Sequence, residues 1–285
     1  MDFTLARRLL ALLTPAILSG CALLNVNAPA RQVDAQAESA HMQRVAVLAG
    51  TPVRAWLRQP AATPGEPLSD ATLTVYIEGD GAEWHTKYQP PADPTPDNPL
   101  TLRLALRDPD ARVAYLGRPC QYLEAGALAR CPSLLWLSGR YGEEAITILS
   151  AAIDILVLST GAQRVRLVGY SGGGAVAALL AARRQDVSCL VTVAAPLDTE
   201  AWAAAIDITA LTASLNPLTH AAALTHIAQT HWAAADDAVV PPATLQRFID
   251  AVPQASLEVI DAWDHDCCWV YAWQKLRSRS CLAAP

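Results

Sequence analysis

The chain has 285 residues, of which 52% are hydrophobic and 17% charged, and its formal net charge is −6. A chain this apolar buries enough surface to offset its conformational entropy, which excludes an intrinsically disordered protein. The acidic balance and the absence of a long run of Lys or Arg argue against a nucleic-acid-binding protein, which needs a basic face.

The first residues have the features of a secretory signal peptide. A positive end, a short apolar stretch and small residues follow one another over residues 1–20. Residues 18–21 read Leu-Ser-Gly-Cys and resemble the lipobox of bacterial lipoproteins. This resemblance implies cleavage before Cys21 and acylation of that residue, and two or more acyl chains hold a protein on a bilayer stably. An ordinary secretory signal followed by an unrelated cysteine is the alternative.

The implied lipid anchor places the protein in the cell envelope. By the rules of lipoprotein families, Ala22 after the cysteine favours the outer membrane of a Gram-negative cell, with the protein on its periplasmic face. Residues 21–44 are polar with scattered alanines and show no periodicity, so we predict a lipidated flexible tether. The chain without its signal peptide is acidic, so lipid rather than charge attracts it to the membrane.

Cysteine usage agrees with export. An even number of cysteines in an exported chain predicts disulfides, and beyond Cys21 the candidates are Cys120, Cys131, Cys189, Cys267, Cys268 and Cys281. Cys120 and Cys131 are close in sequence across one loop and are the favoured pair. Cys281 with Cys267 or Cys268 is the second choice. Cys189 lies in an apolar run and is expected to be a buried thiol. The spacings do not predict a zinc site.

From about residue 45 the chain alternates between short apolar runs and amphipathic stretches. The runs predict strands at 45–48, 53–57, 73–77, 112–116, 164–168, 187–194, 227–231 and 257–260. Helices are predicted at 100–107, 142–159, 174–184, 242–251 and after residue 268. Such alternation is typical of the α/β class, with a mostly parallel central sheet and helices on both faces. We see no domain break after residue 45, so residues 45–285 are predicted to form a single domain.

The chemistry is concentrated between a predicted strand and a predicted helix. Residues 169–173 read Gly-Tyr-Ser-Gly-Gly and fit the nucleophile-elbow pattern G-x-S-x-G. In such an elbow Ser171 sits on a tight turn with its hydroxyl raised above the sheet. A side chain at Gly169 or Gly173 would collide with a neighbouring strand or helix. The alternative is a phosphate-binding loop, although the GxGxxG and GKS/T patterns are missing.

A serine needs a base, and an acid to orient that base, and both are expected after it in the order acid, then histidine. Asp237 begins the segment Asp-Ala-Val-Val-Pro, which resembles the acid-bearing D-x-V-V-P segment of α/β-hydrolases. Register favours Asp237 over Asp236, and Asp198 after the preceding strand is the alternative acid. His265 follows the last predicted strand, where that family places its base. We expect the other histidines to be structural or on the surface.

Residues 45–281 resemble α/β-hydrolases, and more narrowly exported bacterial hydrolases of that fold. The resemblance is carried by residues 76–81, 115–122 and 265–269. It implies an oxyanion hole built from the N–H of Asp80 or Gly81 together with the N–H of Gly172. Glu78 stands where many relatives have a histidine, which departs from the family pattern. A simple acidic turn at this point is the alternative.

Arg118 lies at the end of a predicted strand, facing the crevice where parallel sheets bind ligands. It could hold a carboxylate or phosphate of the substrate. A buried structural arginine that pairs with Glu143 or Glu144 is the competing interpretation.

Together these features predict a serine hydrolase (an esterase-like enzyme) with Ser171, His265 and Asp237 as a catalytic triad and a small-molecule acyl substrate. No metal and no organic cofactor is implied. Residues 197–225, which are rich in Ala and Leu, are predicted to form a small cap over the site, and this composition favours a substrate with an apolar acyl group. The alternatives are an inactive lipid-anchored binding protein on the same scaffold, and a serine peptidase or acyltransferase. The sequence leaves the substrate and the oligomeric state open.

Overall fold

The computed structural model describes residues 28–49, 51–60, 72–82 and 89–283. Its strands are β1 Gln43–Ala49, β2 Thr51–Arg58, β3 Thr72–Ile77, β4 Val113–Leu116, β5 Arg164–Tyr170, β6 Val187–Val193, β7 Ala228–Ala234 and β8 Ser256–Ile260. Its α-helices are α1 Ala28–Ser39, α2 Leu100–Ala105, α3 Ala125–Leu128, α4 Glu143–Thr160, α5 Gly172–Ala181, α6 Thr199–Ala205, α7 Gln246–Ala251 and α8 Trp269–Arg277. Short 3-10 helices span Ser133–Leu135, Pro217–Leu224, Pro242–Leu245 and Cys281–Ala283.

The strands form one eight-stranded sheet in the order β1-β2-β4-β3-β5-β6-β7-β8. β2 pairs antiparallel with β1 and β4, and the other neighbouring pairs are parallel. The predicted mostly parallel sheet is therefore confirmed. Because β3, β5, β7 and β8 run in the same direction, the loops that follow them open at one edge of the sheet.

Helices cover both faces of this sheet. Alternate residues of β3 point to opposite faces, so Val75 and Ile77 lie on the face covered by α4 and α5, whereas Tyr76 lies on the face covered by α1, α2 and α8. α4 ends at Gly161, whose φ of 66° gives the left-handed cap that glycine adopts without strain. Helices on both faces of a single α/β fold were predicted, and the structure confirms them. Within the described ranges, no helix combines the length and the apolarity that a membrane span requires.

The predicted flexible tether is wrong over residues 28–39, which form helix α1. Ala30, Val33 and Ala37 are buried against the sheet. Asp34 accepts a hydrogen bond from Trp56 Nε1 at 2.9 Å, which ties the helix to β2. Two of the three buried residues are alanines, which are only weakly hydrophobic. The hydrophobic pattern of the segment therefore shows little helical periodicity. The predicted signal peptide and Cys21 lie outside the described residues.

The disulfides confirm one predicted pair and correct the others. Cys120 and Cys131 are bonded, with Cα atoms 5.8 Å apart. Cys189 is not a free thiol, because it is bonded to Cys281, and Cys267 is bonded to its neighbour Cys268. The chain end packs beside β6 and so brings together two cysteines 92 residues apart, a contact that spacing alone does not reveal.

Candidate active site

The nucleophile elbow, residues 169–173, joins β5 to α5. Ser171 has φ 51° and ψ −131°, a strained conformation for a residue with a side chain, and its N–H donates to Val193 O at 2.9 Å. A Cβ on Gly169 would lie 2.2 Å from Gly173 O, and one on Gly173 would lie 2.2 Å from Ile77 O. These two positions therefore admit only glycine, and the close packing around them holds the serine in its strained turn.

The structure brings Ser171, His265 and Asp237 together. His265 Nε2 lies 3.1 Å from Ser171 Oγ, and His265 Nδ1 lies 2.8 Å from Asp237 Oδ2. Asp237 follows β7 and His265 follows β8, so adjacent parallel strands deliver the two side chains to the same edge. The Asp237 side chain has no exposed surface, and that of His265 is 13% exposed. This arrangement can pass a proton from the serine to the histidine, with the carboxylate holding the imidazole.

Asp237 is fixed by its own loop. Its Oδ1 accepts the N–H groups of Val239 and Val240 at 2.8 and 2.7 Å, which leaves Oδ2 directed at His265. Asp236, the neighbouring candidate, is exposed to solvent. The register that favoured Asp237 is therefore matched by the geometry.

Asp198, the alternative acid, has another role. Its Oδ1 caps α6 by accepting from Ala201 N at 3.2 Å and from Asn216 Nδ2 at 2.9 Å. Its Oδ2 lies 2.8 Å from a guanidinium nitrogen of Arg247. A carboxylate occupied by these groups stabilises the segment between β6 and β7 rather than orienting the histidine.

The histidine loop, residues 261–268, is held by side chains on both sides. The carbonyl of His265 accepts from Trp269 Nε1 at 2.8 Å and lies 3.2 Å from the hydroxyl of Tyr170. That hydroxyl donates to Asp266 Oδ1 at 2.7 Å. Burial, and next the hydrogen bond to Asp266, raise the pKa of Tyr170, so it remains a neutral donor. Tyr170, the residue just before Ser171, thus positions the loop that carries His265.

The loop after β3 lies against the nucleophile. A Cβ on Gly79 would be 3.6 Å from Ser171 Cβ. The carbonyl of Gly79 accepts from Gln121 Nε2 at 3.1 Å. Because C=O and N–H point in opposite directions across a trans peptide, the N–H of Asp80 is directed away from Gln121. Gly172 is the first residue of α5, so its N–H has no acceptor within the helix and adds to the positive helix terminus.

Gly81, the other predicted donor, serves the turn that follows. Its φ is 95°, and a Cβ there would lie 1.7 Å from Pro94 O. Only glycine fits this contact, and Ala82 N donates to the same carbonyl at 3.3 Å. Gly81 is therefore fixed against Pro94, and it is the side chain of Asp80 that lies against Gly172.

Glu78 is no solvated acidic turn, because it is 2% exposed. Its Oε1 accepts from Gly79 N at 2.8 Å and Thr101 Oγ1 at 2.9 Å, and its Oε2 accepts from Tyr115 OH at 2.6 Å. Burial raises the pKa of Glu78, and these hydrogen bonds oppose the rise. The residue that departs from the family pattern therefore holds the loop after β3 by its carboxyl group.

Arg118 is buried and does not pair with Glu143 or Glu144. Its guanidinium lies 3.2 Å from Asp80 Oδ1, whereas Glu143 binds Arg183 at 2.6 Å. The prediction of a pair with Glu143 or Glu144 is wrong because both glutamates lie on the solvent side of α4.

The possible cap contains α6 and the 3-10 helix Pro217–Leu224. Trp202 on α6 is buried and donates from Nε1 to Val239 O at 2.7 Å. The segment is therefore attached to the loop that carries Asp237.

Comparison with known proteins identifies the fold. No family model matches the chain, and no curated protein matches it significantly. A puromycin hydrolase matches with a TM-score of 0.56 and 19% identity, over 79% of this chain and 36% of that chain. An esterase from Pyrococcus furiosus matches with a TM-score of 0.55 and 16% identity, over 84% of this chain and 89% of that chain. Est1E from Butyrivibrio proteoclasticus matches with a TM-score of 0.58 and 12% identity, over 83% of this chain and 96% of that chain. The chain has the α/β-hydrolase fold.

These likenesses establish the fold and not a shared activity. The chain spans about a third of the puromycin hydrolase, 36% of its length, and nearly all of Est1E, 96% of its length.

Several residues of this site were missed by sequence reasoning. Tyr170 and Gln121 act through hydrogen bonds to backbone carbonyls of distant segments, for which a sequence carries no local signal, and Trp269 donates to the carbonyl of His265 four residues before it. Tyr170 does lie inside the elbow motif 169–173, and Gln121 and Trp269 lie in the segments 115–122 and 265–269 that carried the family resemblance. Across the described ranges, no group of three or more His, Cys, Asp or Glu side chains is placed to hold a metal ion.

Proposed function

We propose that the chain is a serine hydrolase that cleaves an ester or related acyl substrate through an acyl-enzyme. The observation that carries the proposal is the hydrogen-bonded series Ser171–His265–Asp237 at the elbow. The fold supports it, since the matched structures include a puromycin hydrolase and an esterase by name.

In the first step Ser171 Oγ attacks the acyl carbon and its proton passes to His265 Nε2. Asp237 accepts the Nδ1–H of His265, which selects the required tautomer and stabilises the imidazolium. The N–H groups of Asp80 and Gly172 donate to the oxyanion of the tetrahedral intermediate. Such a donor is typically worth about 3 kcal/mol in the transition state.

In the second step His265 returns the proton to the leaving oxygen, and the acyl group stays on Ser171. A water molecule then attacks the acyl carbon, gives its proton to His265, and releases the acid as Ser171 recovers its hydrogen. Each proton passes through His265 and water is the only other reactant, so the proposed reaction uses no cofactor.

Covalent labelling with a fluorophosphonate probe tests the proposal. The full-length wild type is expected to be labelled, and Ser171→Ala and His265→Ala are expected to abolish labelling. Ser159→Ala, at an exposed serine of α4, is the matched control and should be labelled like the wild type. Asp237→Asn should slow labelling by orders of magnitude, while Asp236→Asn should not change it. A folded, oxidised wild type that resists the probe would reject the proposal.

We further propose that the enzyme is anchored in the cell envelope by lipid on Cys21. The support is the order of regions over residues 1–21. Metabolic incorporation of a fatty-acid analogue tests it: the wild type should carry the analogue and partition with membranes, and Cys21→Ala should do neither. Equal membrane partitioning of both forms would remove the anchor from the proposal.

A further inference from the structure

A charged cluster forms one wall of the proposed oxyanion site. The carboxylate of Asp80 is in contact with three side chains. Its Oδ1 accepts a hydrogen bond from Arg118 at 3.2 Å, its Oδ2 accepts one from Tyr141 OH at 2.5 Å, and Oδ2 also forms an ion pair with Arg140, whose Nε lies 3.0 Å away. Arg118 follows β4, and Arg140 and Tyr141 precede α4. Two segments distant from Asp80 in sequence thus converge on its carboxylate.

The cluster is packed against the residue after the nucleophile. A Cβ on Gly172 would lie 1.9 Å from Asp80 Oδ1 and 2.6 Å from Tyr141 OH. The carboxylate and the phenol therefore touch the residue whose N–H is one of the two proposed oxyanion donors. The other donor is the N–H of Asp80 itself.

The burial of the donors differs from that of the acceptor. The side chains of Arg118 and Arg140 are 4% and 9% exposed, and Tyr141 is fully buried, whereas the Asp80 side chain is 28% exposed. Arg140 also stacks near the ring of Trp202 at 5.7 Å. These three buried side chains are consequently too deep to meet a substrate, and they act on Asp80.

A carboxylate beside a developing oxyanion would repel it, but the negative charge of Asp80 is offset by two neighbouring guanidinium groups. Two guanidinium groups and one carboxylate give the cluster a net charge of +1 by simple count. Burial and next the neighbouring Asp80 raise the pKa of Tyr141, so it stays a neutral hydrogen-bond donor. The wall of the site is therefore positive overall, in the sense that favours an oxyanion.

The cluster also fixes the peptide that carries the donor. On one side, Gln121 holds the carbonyl of Gly79, and its own Oε1 accepts from the N–H of Arg118 at 2.8 Å. On the other side, the Asp80 carboxylate is bound by the cluster. The Gly79–Asp80 peptide is thus held at both ends, and it has little freedom to rotate its N–H away from the oxyanion.

We propose that Arg118, Arg140 and Tyr141 are positioning residues that clamp the Asp80 carboxylate and thereby keep the Asp80 N–H directed at the oxyanion. This inference rests on the proposed function, because it concerns the same site. A positioning role predicts a loss in the rate of reaction with little change in ground-state binding, since the clamp acts on the transition state.

Fluorophosphonate inactivation of the full-length, oxidised protein separates the two effects, because kinact and KI are measured apart. Tyr141→Phe removes one donor and keeps the ring, and should lower kinact about 10-fold with KI within about twofold of wild type. Asp80→Asn removes the charge that the arginines bind and should lower kinact about 100-fold. Tyr271→Phe, at a tyrosine 84% exposed on α8, is the matched control and should leave both constants unchanged.

Two outcomes would overturn the inference. One is a kinact for Tyr141→Phe equal to that of Tyr271→Phe. The other is a raised KI with unchanged kinact, which would mean that the cluster binds the ligand in the ground state. Circular dichroism of each variant shows that it is folded, and if Asp80→Asn does not fold, Tyr141→Phe still decides. An unlabelled wild type would instead defeat the proposed function, so the two failures are distinguishable.

Discussion

The elbow at residues 169–173 and the histidine loop hold Ser171 and His265, the proposed nucleophile and base, by different means. At the elbow, the backbones of β5, α5 and the loop after β3 approach one another so closely that only glycine fits at positions 169 and 173. Ser171 keeps its position because these neighbouring residues have no side chains. The histidine loop is placed by donors on neighbouring elements, chiefly Tyr170 and Trp269. Steric exclusion tolerates no added atom, whereas a set of hydrogen bonds can lose one member and keep the rest.

This difference predicts that the elbow fails first. Gly173→Ala would set a Cβ 2.2 Å from Ile77 O and 2.5 Å from Glu78 O, two backbone atoms that cannot turn aside. We expect it to lower the free energy of unfolding by about 3 kcal/mol or more, measured by urea denaturation. Gly126→Ala is the matched control, because a Cβ there meets nothing within 4 Å. Equal stability of the two variants would contradict the steric account of the elbow.

A buried histidine packs beneath the elbow, and its protonation should destabilise the folded protein at acidic pH. His231 is fully buried, bonds Thr192 through Nδ1 at 2.8 Å and meets the ring of Phe248, and burial lowers its pKa to about 3. The unfolded state, with an ordinary histidine pKa, binds more protons between these values, so stability falls as the pH drops below about 6.5.

Lowering the pH from about 7.5 to about 5 should lower the free energy of unfolding by about 2 kcal/mol through the effect of His231. Urea denaturation at the two pH values measures it, with His231→Gln as the variant that lacks the titration. The difference between the two pH values should be smaller in the variant by that amount. An equal difference would mean that His231 is protonated in the folded protein.

The hydroxyl of Tyr170 connects the two regions. Tyr170→Phe keeps the ring beside His265, whose centroid is 5.0 Å away, and deletes the donor to Asp266. We expect kinact for the fluorophosphonate to fall about 10-fold, since Trp269 still holds the histidine carbonyl and the fold is kept. Loss of all labelling would mean that the loop depends on this hydroxyl alone, and no change would mean that it is redundant.

Loss of the disulfide between Cys267 and Cys268 should have the smallest effect on the rate of inactivation. It joins adjacent residues and so closes no long loop of the unfolded chain, which limits its contribution through chain entropy. The loop is also held by Asp264, whose Oδ1 accepts from Cys267 N at 2.7 Å. Replacing both cysteines by serine should change kinact by no more than about twofold. A tenfold loss in the same inactivation assay would show that the covalent link positions His265.

Much of the candidate site follows from the sequence because its chemistry is locally encoded. Gly169, Ser171 and Gly173 lie in one five-residue motif, and the segments of Asp237 and His265 each follow a predicted strand. Parallel strands place their carboxyl ends at one edge, so strand prediction and chain order together bring these residues close. The Cys120–Cys131 bond was predictable for a similar reason, since its cysteines flank a short loop.

Other features were lost because nothing in the local sequence records them. Helix α1 buries small alanines, which carry little hydrophobic signal, so it was mistaken for a tether. Cys189 and Cys281 meet only after the chain end packs on β6. Arg118 had two interpretations in sequence, and neither included Asp80, because the partner was set by the packing of β3 beside β4.

By itself the sequence determined the α/β fold class, the elbow and the order of serine, acid and base, since each depends on periodicity or on sterics within a few residues. The tertiary structure alone decided that Asp237 rather than Asp198 faces the histidine, and that Asp80 is clamped by Arg118, Arg140 and Tyr141. Those pairings join residues tens of positions apart, and their geometry exists only once strand order and register have brought the segments together.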